Sequence, residues 1–200
     1  MYCAAPRGGW AAPWGGPAAG PTRLTGPVVL VLASGRGERF VASGGQGSKL
    51  QASLGGQPVI EHTLAAVRAS GLPFHVEDAG HAGMGDSIAA AVRATRDAPG
   101  WLVLPADLPL VKPGTLLAVA HALASNEVIV PVFQGQRGHP VGFAAACGEE
   151  LANLKGNRGA APVVSGHAAI ELIVDDPGAV TDVDTLEDLA NAEALLRTRS

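Results

Sequence analysis

The chain has 200 residues, 47% of them hydrophobic and 16% charged, which suits one globular domain with a substantial core and argues against a second. A formal charge of −4 and a pI near 5.8, with basic residues dispersed rather than gathered in a stripe, argue against a nucleic-acid binder. Cys3 and Cys147 are the only cysteines, so neither a disulfide framework nor a thiolate metal site is expected, and the chain reads as cytoplasmic.

Residues 1–26 combine Pro6, Pro13, Pro17 and Pro21 with many glycines and alanines, and Trp10 and Trp14 fall in no helical or strand period. A disordered extension is expected there, ahead of one domain over 27–200. The extension has neither the continuous apolar core nor the clean cationic start of a secretory leader. No segment approaches the roughly 20 apolar residues that span a bilayer, so no membrane partner is expected. The β-branched run VVLVL at 28–32 predicts a central strand covered on both faces. It opens into SGRGER, where Gly35 and Gly37 let the backbone approach an anion and Arg36, Arg39 and Lys49 supply positive charge. The spacing is neither GxxxxGKS/T nor GxGxxG, leaving a phosphate site of another type or a glycine-rich surface turn. Nine residues, FVASGGQGS, separate Arg39 from Lys49 and would put the lysine on a long, mobile loop.

Pro58 and the spacing of Val59, Ile60, Leu64 and Val67 predict a helix stopped by Gly71 and Pro73. A short strand at 74–76, a helix at 86–96 introduced by GHAGMGDS, a buried strand at 101–104, a helix at 113–125 and a strand at 128–132 follow. This alternation implies an α/β fold with a Rossmann-like, doubly wound, mostly parallel sheet and helices on both faces. Beyond it, 134–140 reads as a polar loop, 141–146 as an antiparallel strand, 147–154 as helical and 169–174 as a strand. Asp184 and Glu187 have capping-box spacing for a last helix packed through Leu186, Leu189, Ala190, Ala192 and Leu196.

In such a sheet ligands bind beyond the carboxyl ends of the strands, so the first loop and Asp107 should face each other. Asp107, framed by Pro105 and Pro109, suits either a hard cation bridged to phosphates or the cap of the next helix. A second carboxylate could come from TDVDTLEDL, where Asp182 otherwise reads as an ordinary turn aspartate and Asp184 as the helix cap, with Asp175, Asp176 and Asp188 solvated. Free amides near Gly83 and Met84 and the Ser87 hydroxyl suit either base recognition or a glycine-rich N-cap around Asp86, with His81 a loop residue. Arg137 and His139 in GQRGHPVGF suit either charge-assisted hydrogen bonds to a phosphate group or a polar hairpin loop, and no HxH, HExxH or GxSxG pattern offers another chemistry.

LASGRGER followed by a lysine resembles the opening signature of the MobA-like nucleotidyltransferases, LA(A/G)GxSxRMGxxK, and is most similar to that of the molybdenum cofactor cytidylyltransferases. GMGDS, LPADLP, RGHPV and TDVDTLEDL resemble further motifs of that family, in the same order along the chain. The resemblance implies the fold of the nucleotide-diphospho-sugar transferases and a nucleotide site at Leu32, Ala33, Ser34, Gly35, Arg36, Gly37, Arg39, Lys49, Gly83, Met84 and Ser87. It implies catalysis by Arg39, Lys49 and Asp107, with Mg²⁺ as cofactor on Asp107 and Asp182, and an acceptor site at Arg137 and His139. The implied reaction transfers CMP from CTP to the phosphate of molybdenum-bound molybdopterin, with a molybdenum hydroxylase or its maturation factor as an expected partner. Guanylyl transfer from GTP, another small phosphate acceptor, or a noncatalytic cofactor-delivery role are the alternatives. LKGNRGAAP departs from the family's LxGDxGAR, having Asn157 for the aspartate and Ala161 for the arginine.

Overall fold

The computed structural model describes residues 26–35 and 37–198, and the expected extension before residue 26 and Arg36 lie outside the described residues. The elements in chain order are β1 (Val28–Leu32), α1 (Glu38–Ala42), β2 (Ser53–Leu54), β3 (Gln57–Pro58), α2 (Val59–Ser70), β4 (Phe74–Glu77), α3 (Met84–Ala94), β5 (Gly100–Pro105) and α4 (Pro113–Ala122). They continue with β6 (Val128–Phe133), β7 (Gln136–Arg137), β8 (Val141–Ala144), α5 (Gly148–Ala152), α6 (Ala161–Gly166), β9 (Ala169–Ile173) and α7 (Leu186–Thr198).

One seven-stranded sheet carries the fold in the order β4-β1-β5-β8-β6, with β7 and β9 on opposite sides of β6. β4, β1, β5, β6 and β9 run in one direction and β8 and β7 against it. The sheet is therefore mostly parallel, as expected. β1 is buried at every position because it is paired on both sides and covered on both faces. Its side chains alternate: Val29 and Val31 join Leu64, Val67, Leu116 and Ala192 under α2, α4 and α7, while Val28, Leu30 and Leu32 join Ile88, Val92, Leu151 and Val163 under α3, α5 and α6. The chain leaves β1 toward β4 through α2 and returns to β5 through α3 on the other face. This reversal opens a crevice at the carboxyl ends of β1 and β5.

Three local expectations are corrected. The polar loop at 134–140 contains β7, which turns back on β6 through Gln134 and Gly135, at φ 49° and 82°, the left-handed pair that suits a two-residue hairpin turn. The capping box of α7 is Thr185 with Asp188, not Asp184 with Glu187. Asp188 Oδ2 accepts the Thr185 N–H at 2.8 Å, and Thr185 Oγ1 accepts the Asp188 N–H at 3.1 Å. Asp176 is buried rather than solvated, and takes the N–H of Lys112, the hydroxyl of Thr115 and the N–H of Gly178 at 2.7–3.0 Å.

Candidate functional site

The crevice is a cleft of about 700 Å³ lined by the loop after β1, the start of α3, the turn after β5, β7 and the segment before α7. Leu32, Ser34, Gly35, Gly37, Arg39, Lys49, Gly83, Met84, Ser87, Asp107, Arg137, His139 and Asp182 all line it. Ala33 does not. It packs against the core and donates its N–H to the Glu77 carbonyl, so it fixes the loop's exit from β1.

The Arg39–Lys49 spacer is folded, which corrects the expectation of a long mobile loop. Gly37, at φ 64°, lets the chain turn into α1, whose Phe40 inserts into the core. Ser43 Oγ donates to the Phe40 carbonyl at 2.8 Å and accepts the Leu186 N–H at 3.0 Å, tying the spacer to α7. A methyl group on Gly45 would lie 2.3 Å from the Phe40 ring, so only glycine admits this turn. Lys49 follows in a single 3-10 turn capped by Ser48 and is 8% exposed.

Lys49 Nζ donates to Asp107 Oδ2 and to Asp184 Oδ1, each at 2.5 Å, and the largely exposed Arg39 pairs with Asp184 Oδ2 at 2.7 Å. Burial alone would push the Lys49 ammonium down, but the Asp107 and Asp184 carboxylates outweigh it and hold the lysine above its ordinary value. Asp184, expected as a cap, thus belongs to the site. Its true signal was that Thr185 and Asp188 complete a capping box one residue later.

Asp107 is located by backbone on three sides. The Ala106 N–H donates to the Leu32 carbonyl, Thr63 Oγ1 donates to the Ala106 carbonyl, and the Val183 N–H donates to the Asp107 carbonyl at 2.9 Å. The last bond brings 182–184 alongside. Asp182 is exposed, yet partial desolvation, against a backbone hydrogen bond and aided by the negative charges of Asp107, Asp184 and Asp188, pushes its carboxyl above the ordinary carboxylate range. Asp107 Oδ1 is buried without a hydrogen-bond partner. No three His, Cys, Asp or Glu side chains form a ready metal cage among the described residues. An orphaned carboxylate oxygen beside a second, strained carboxylate fits Mg²⁺, which takes one or two carboxylates and fills its remaining positions with water and phosphate oxygens.

At the α3 end, Gly83 is a point of close approach, for a methyl group there would lie 2.4 Å from the Gly156 carbonyl. The Gly156 N–H donates to Asp86 Oδ2 at 3.0 Å, which docks the 156–158 turn on α3 and brings Asn157 into the cleft. Ser87 Oγ lies 2.6 Å from Ser34 Oγ and donates to the Gly83 carbonyl at 3.2 Å. The hydroxyl joins the first loop to α3 and is committed to that joint. His81, expected as an ordinary loop residue, also lines the cleft.

At the far end, Arg137 on β7 is held by Glu171 through Nε and Nη2 at 2.9 and 2.8 Å. The His139 N–H donates to the Ala179 carbonyl, and its Nδ1 is buried with no partner. Burial pushes this imidazole below its ordinary value, against smaller opposing effects of the Val103 backbone and Asp107, so it is neutral at pH 7. A second cavity of about 330 Å³ opens past His139 and is walled by Ile88, Val103, Val130, Val141 and Val164, with Arg158 also lining it.

Residues 65–170 match the MobA-like NTP transferase domain. The purine catabolism protein PucB of Bacillus subtilis (strain 168) is 31% identical over 120 residues, an alignment that spans 58% of each chain. Rv0371c of Mycobacterium tuberculosis H37Rv superposes with a TM-score of 0.73 at 24% identity, over 86% of this chain and all of that one. The molybdopterin-guanine dinucleotide biosynthesis protein A of Archaeoglobus fulgidus superposes with a TM-score of 0.63 at 21% identity, over 86% of this chain and 99% of that one. At these identities the structural likenesses show a common fold.

Proposed function

The chain belongs to the MobA-like NTP transferase family, and on that premise we propose that it transfers CMP from CTP to the terminal phosphate of molybdenum-bound molybdopterin, releasing pyrophosphate. The observation that carries this reading is the Asp107–Lys49–Asp184–Arg39 network at the mouth of a glycine loop, with Asp107 Oδ1 left unpartnered. Chemically, an oxygen of the acceptor phosphate bonds to the α-phosphorus of CTP, the bond from that phosphorus to the bridging oxygen breaks, and pyrophosphate leaves with the electron pair. A phosphate nucleophile is already ionised near neutral pH, so the protein's work is alignment and charge neutralisation.

Lys49 has three N–H donors, and the two spent on Asp107 and Asp184 leave one for a phosphate oxygen of the leaving group. Arg39, tethered at one carboxylate and otherwise exposed, adds a second positive charge over the loop. Mg²⁺ held by Asp107 and Asp182 would supply the remaining neutralisation between phosphate oxygens. Arg137 and the neutral His139 suit the acceptor, with the aliphatic cavity beyond them sized for its ring system. The purine-catabolism role named for PucB is compatible with delivery of the product to a molybdenum hydroxylase.

Asn157 and Ala161 favour a second reading within the same chemistry, transfer to a different small phosphate, because both depart from the family's acceptor-side pattern. The test is incubation with Mg²⁺, molybdenum-loaded molybdopterin and each of CTP, GTP, ATP and UTP, reading pyrophosphate and dinucleotide. CTP-selective turnover that Asp107→Asn abolishes is expected. GTP-selective turnover would reassign the base, and nucleotide binding without turnover would reassign the acceptor.

A further inference from the structure

A buried carboxylate that the proposed reaction does not use stands beside the cleft. Glu77 ends β4 and is only 7% exposed. Its Oε1 accepts the Ala79 N–H at 3.1 Å and lies 3.1 Å from His81 Nε2. His75 Nε2 lies 3.5 Å from Oε2 without completing a hydrogen bond. Burying a carboxylate is costly unless it is paired, and here the 78–81 turn folds back to provide the partners. The same turn draws His81 to the cleft wall, where it lines one space with Ser34, Gly83 and Met84 and keeps 25% of its side chain exposed.

The pairing decides which polar function His81 presents. A carboxylate can only accept, so Nε2 carries the proton, and in the neutral ring Nδ1 is then a lone-pair acceptor. No hydrogen bond to Nδ1 occurs among the described residues. Ser87, by contrast, is only 2% exposed, and its hydroxyl donates to the Gly83 carbonyl and bonds Ser34 Oγ. We propose that His81 is a specificity-determining residue whose Nδ1 accepts a hydrogen bond from the exocyclic amino group of a cytosine ring, with Glu77 as the positioning residue that fixes its tautomer.

The inference rests on the reading that a nucleotide occupies this cleft with its base at the 81–87 segment. Cytosine offers an amino group where uracil, of the same size, offers a carbonyl. Two acceptors facing each other repel and leave both unsatisfied, so the wall selects by hydrogen-bond sense rather than by shape.

Titration calorimetry of the full chain in Mg²⁺ with CTP and with UTP tests it, on the wild type, His81→Ala and Glu77→Gln, with thermal melts to verify folding. The wild type is expected to bind CTP about ten-fold more tightly than UTP. His81→Ala should bring that ratio close to one by weakening CTP alone, and Glu77→Gln should narrow it while His81 is still present. A wild type with no preference, or a His81→Ala ratio unchanged from wild type, overturns the inference and leaves nucleotide binding intact. Binding of neither nucleotide by the wild type overturns it together with the transfer reading.

Discussion

The two ends of the cleft are built on opposite principles. Under β1 and β5, Lys49, Arg39, Asp107 and Asp184 are clamped to one another and to backbone, so charge is arranged before a substrate arrives. Past His139 the walls are mostly aliphatic, and the His139 Nδ1 is buried without a partner. The first end is suited to a reaction in which charge must be met in place. The second commits little until a ligand enters, and is suited to choosing an acceptor. Substitutions at the charged end should therefore change rate, and those at the apolar end should change affinity for one substrate.

The sharpest way to break this contrast is Asp107→Asn, which keeps the shape and removes the charge. Pyrophosphate release should fall by about 10²–10³-fold, with the melting temperature lowered as the buried Lys49 ammonium loses one of its carboxylate partners, and a fall in rate below about 10-fold would move the catalytic weight elsewhere. Phe40→Ala tests whether the spacer is folded as an anchor of the charged end. A loss of about 3 kcal/mol in denaturant unfolding is expected, whereas a mobile loop would lose almost nothing. His139→Ala should raise the KM for the acceptor by about 10-fold and leave CTP affinity alone, since only the apolar end loses a polar contact.

A smaller effect sharpens the electrostatics. The native carboxyl of Asp182 is raised above its ordinary value of 3.8, so the folded state binds that proton more tightly than the unfolded chain. Above the native value the ionised carboxylate costs stability, and the cost is relieved as pH falls through that value toward 3.8. Asp182→Asn should accordingly raise the Tm of the metal-free protein at pH 7 only slightly, because the exposed carboxylate is screened by solvent, with the gain lost as pH falls to the ordinary value of 3.8 and below. Addition of Mg²⁺ should stabilise the wild type and leave Asp182→Asn less affected.

How much of this was legible in the sequence follows from whether the signal was local. β1, β5 and α2 read directly, because a buried strand needs an uninterrupted apolar run and a covering helix needs a 3.6-residue period. Asp107 read as either a cation ligand or a helix cap from its place at a strand end, and the family resemblance, not local pattern, favoured the first; the structure puts it on the wall of the cleft. The folded spacer did not, since its ordering depends on Phe40 entering a core assembled by α2 and α7, and on Ser43 meeting Leu186 across 143 positions. Asp184 was hidden for a related reason. Two overlapping capping patterns, Asp184–Glu187 and Thr185–Asp188, fit the same letters, and only the packing of α7 chooses between them. The Glu77–His81 pair lay in a turn whose residues carry no periodicity at all.

Direct transfer is tested by a single-turnover experiment with CTP labelled at the α-phosphate, mixed with the protein, Mg²⁺ and molybdenum-loaded molybdopterin. Transfer of the label to the pterin in wild type, with none in Asp107→Asn and no label on the protein, is the predicted result. Label that stays in CTP, or that becomes attached to the chain, would contradict direct transfer between the two ends of the cleft.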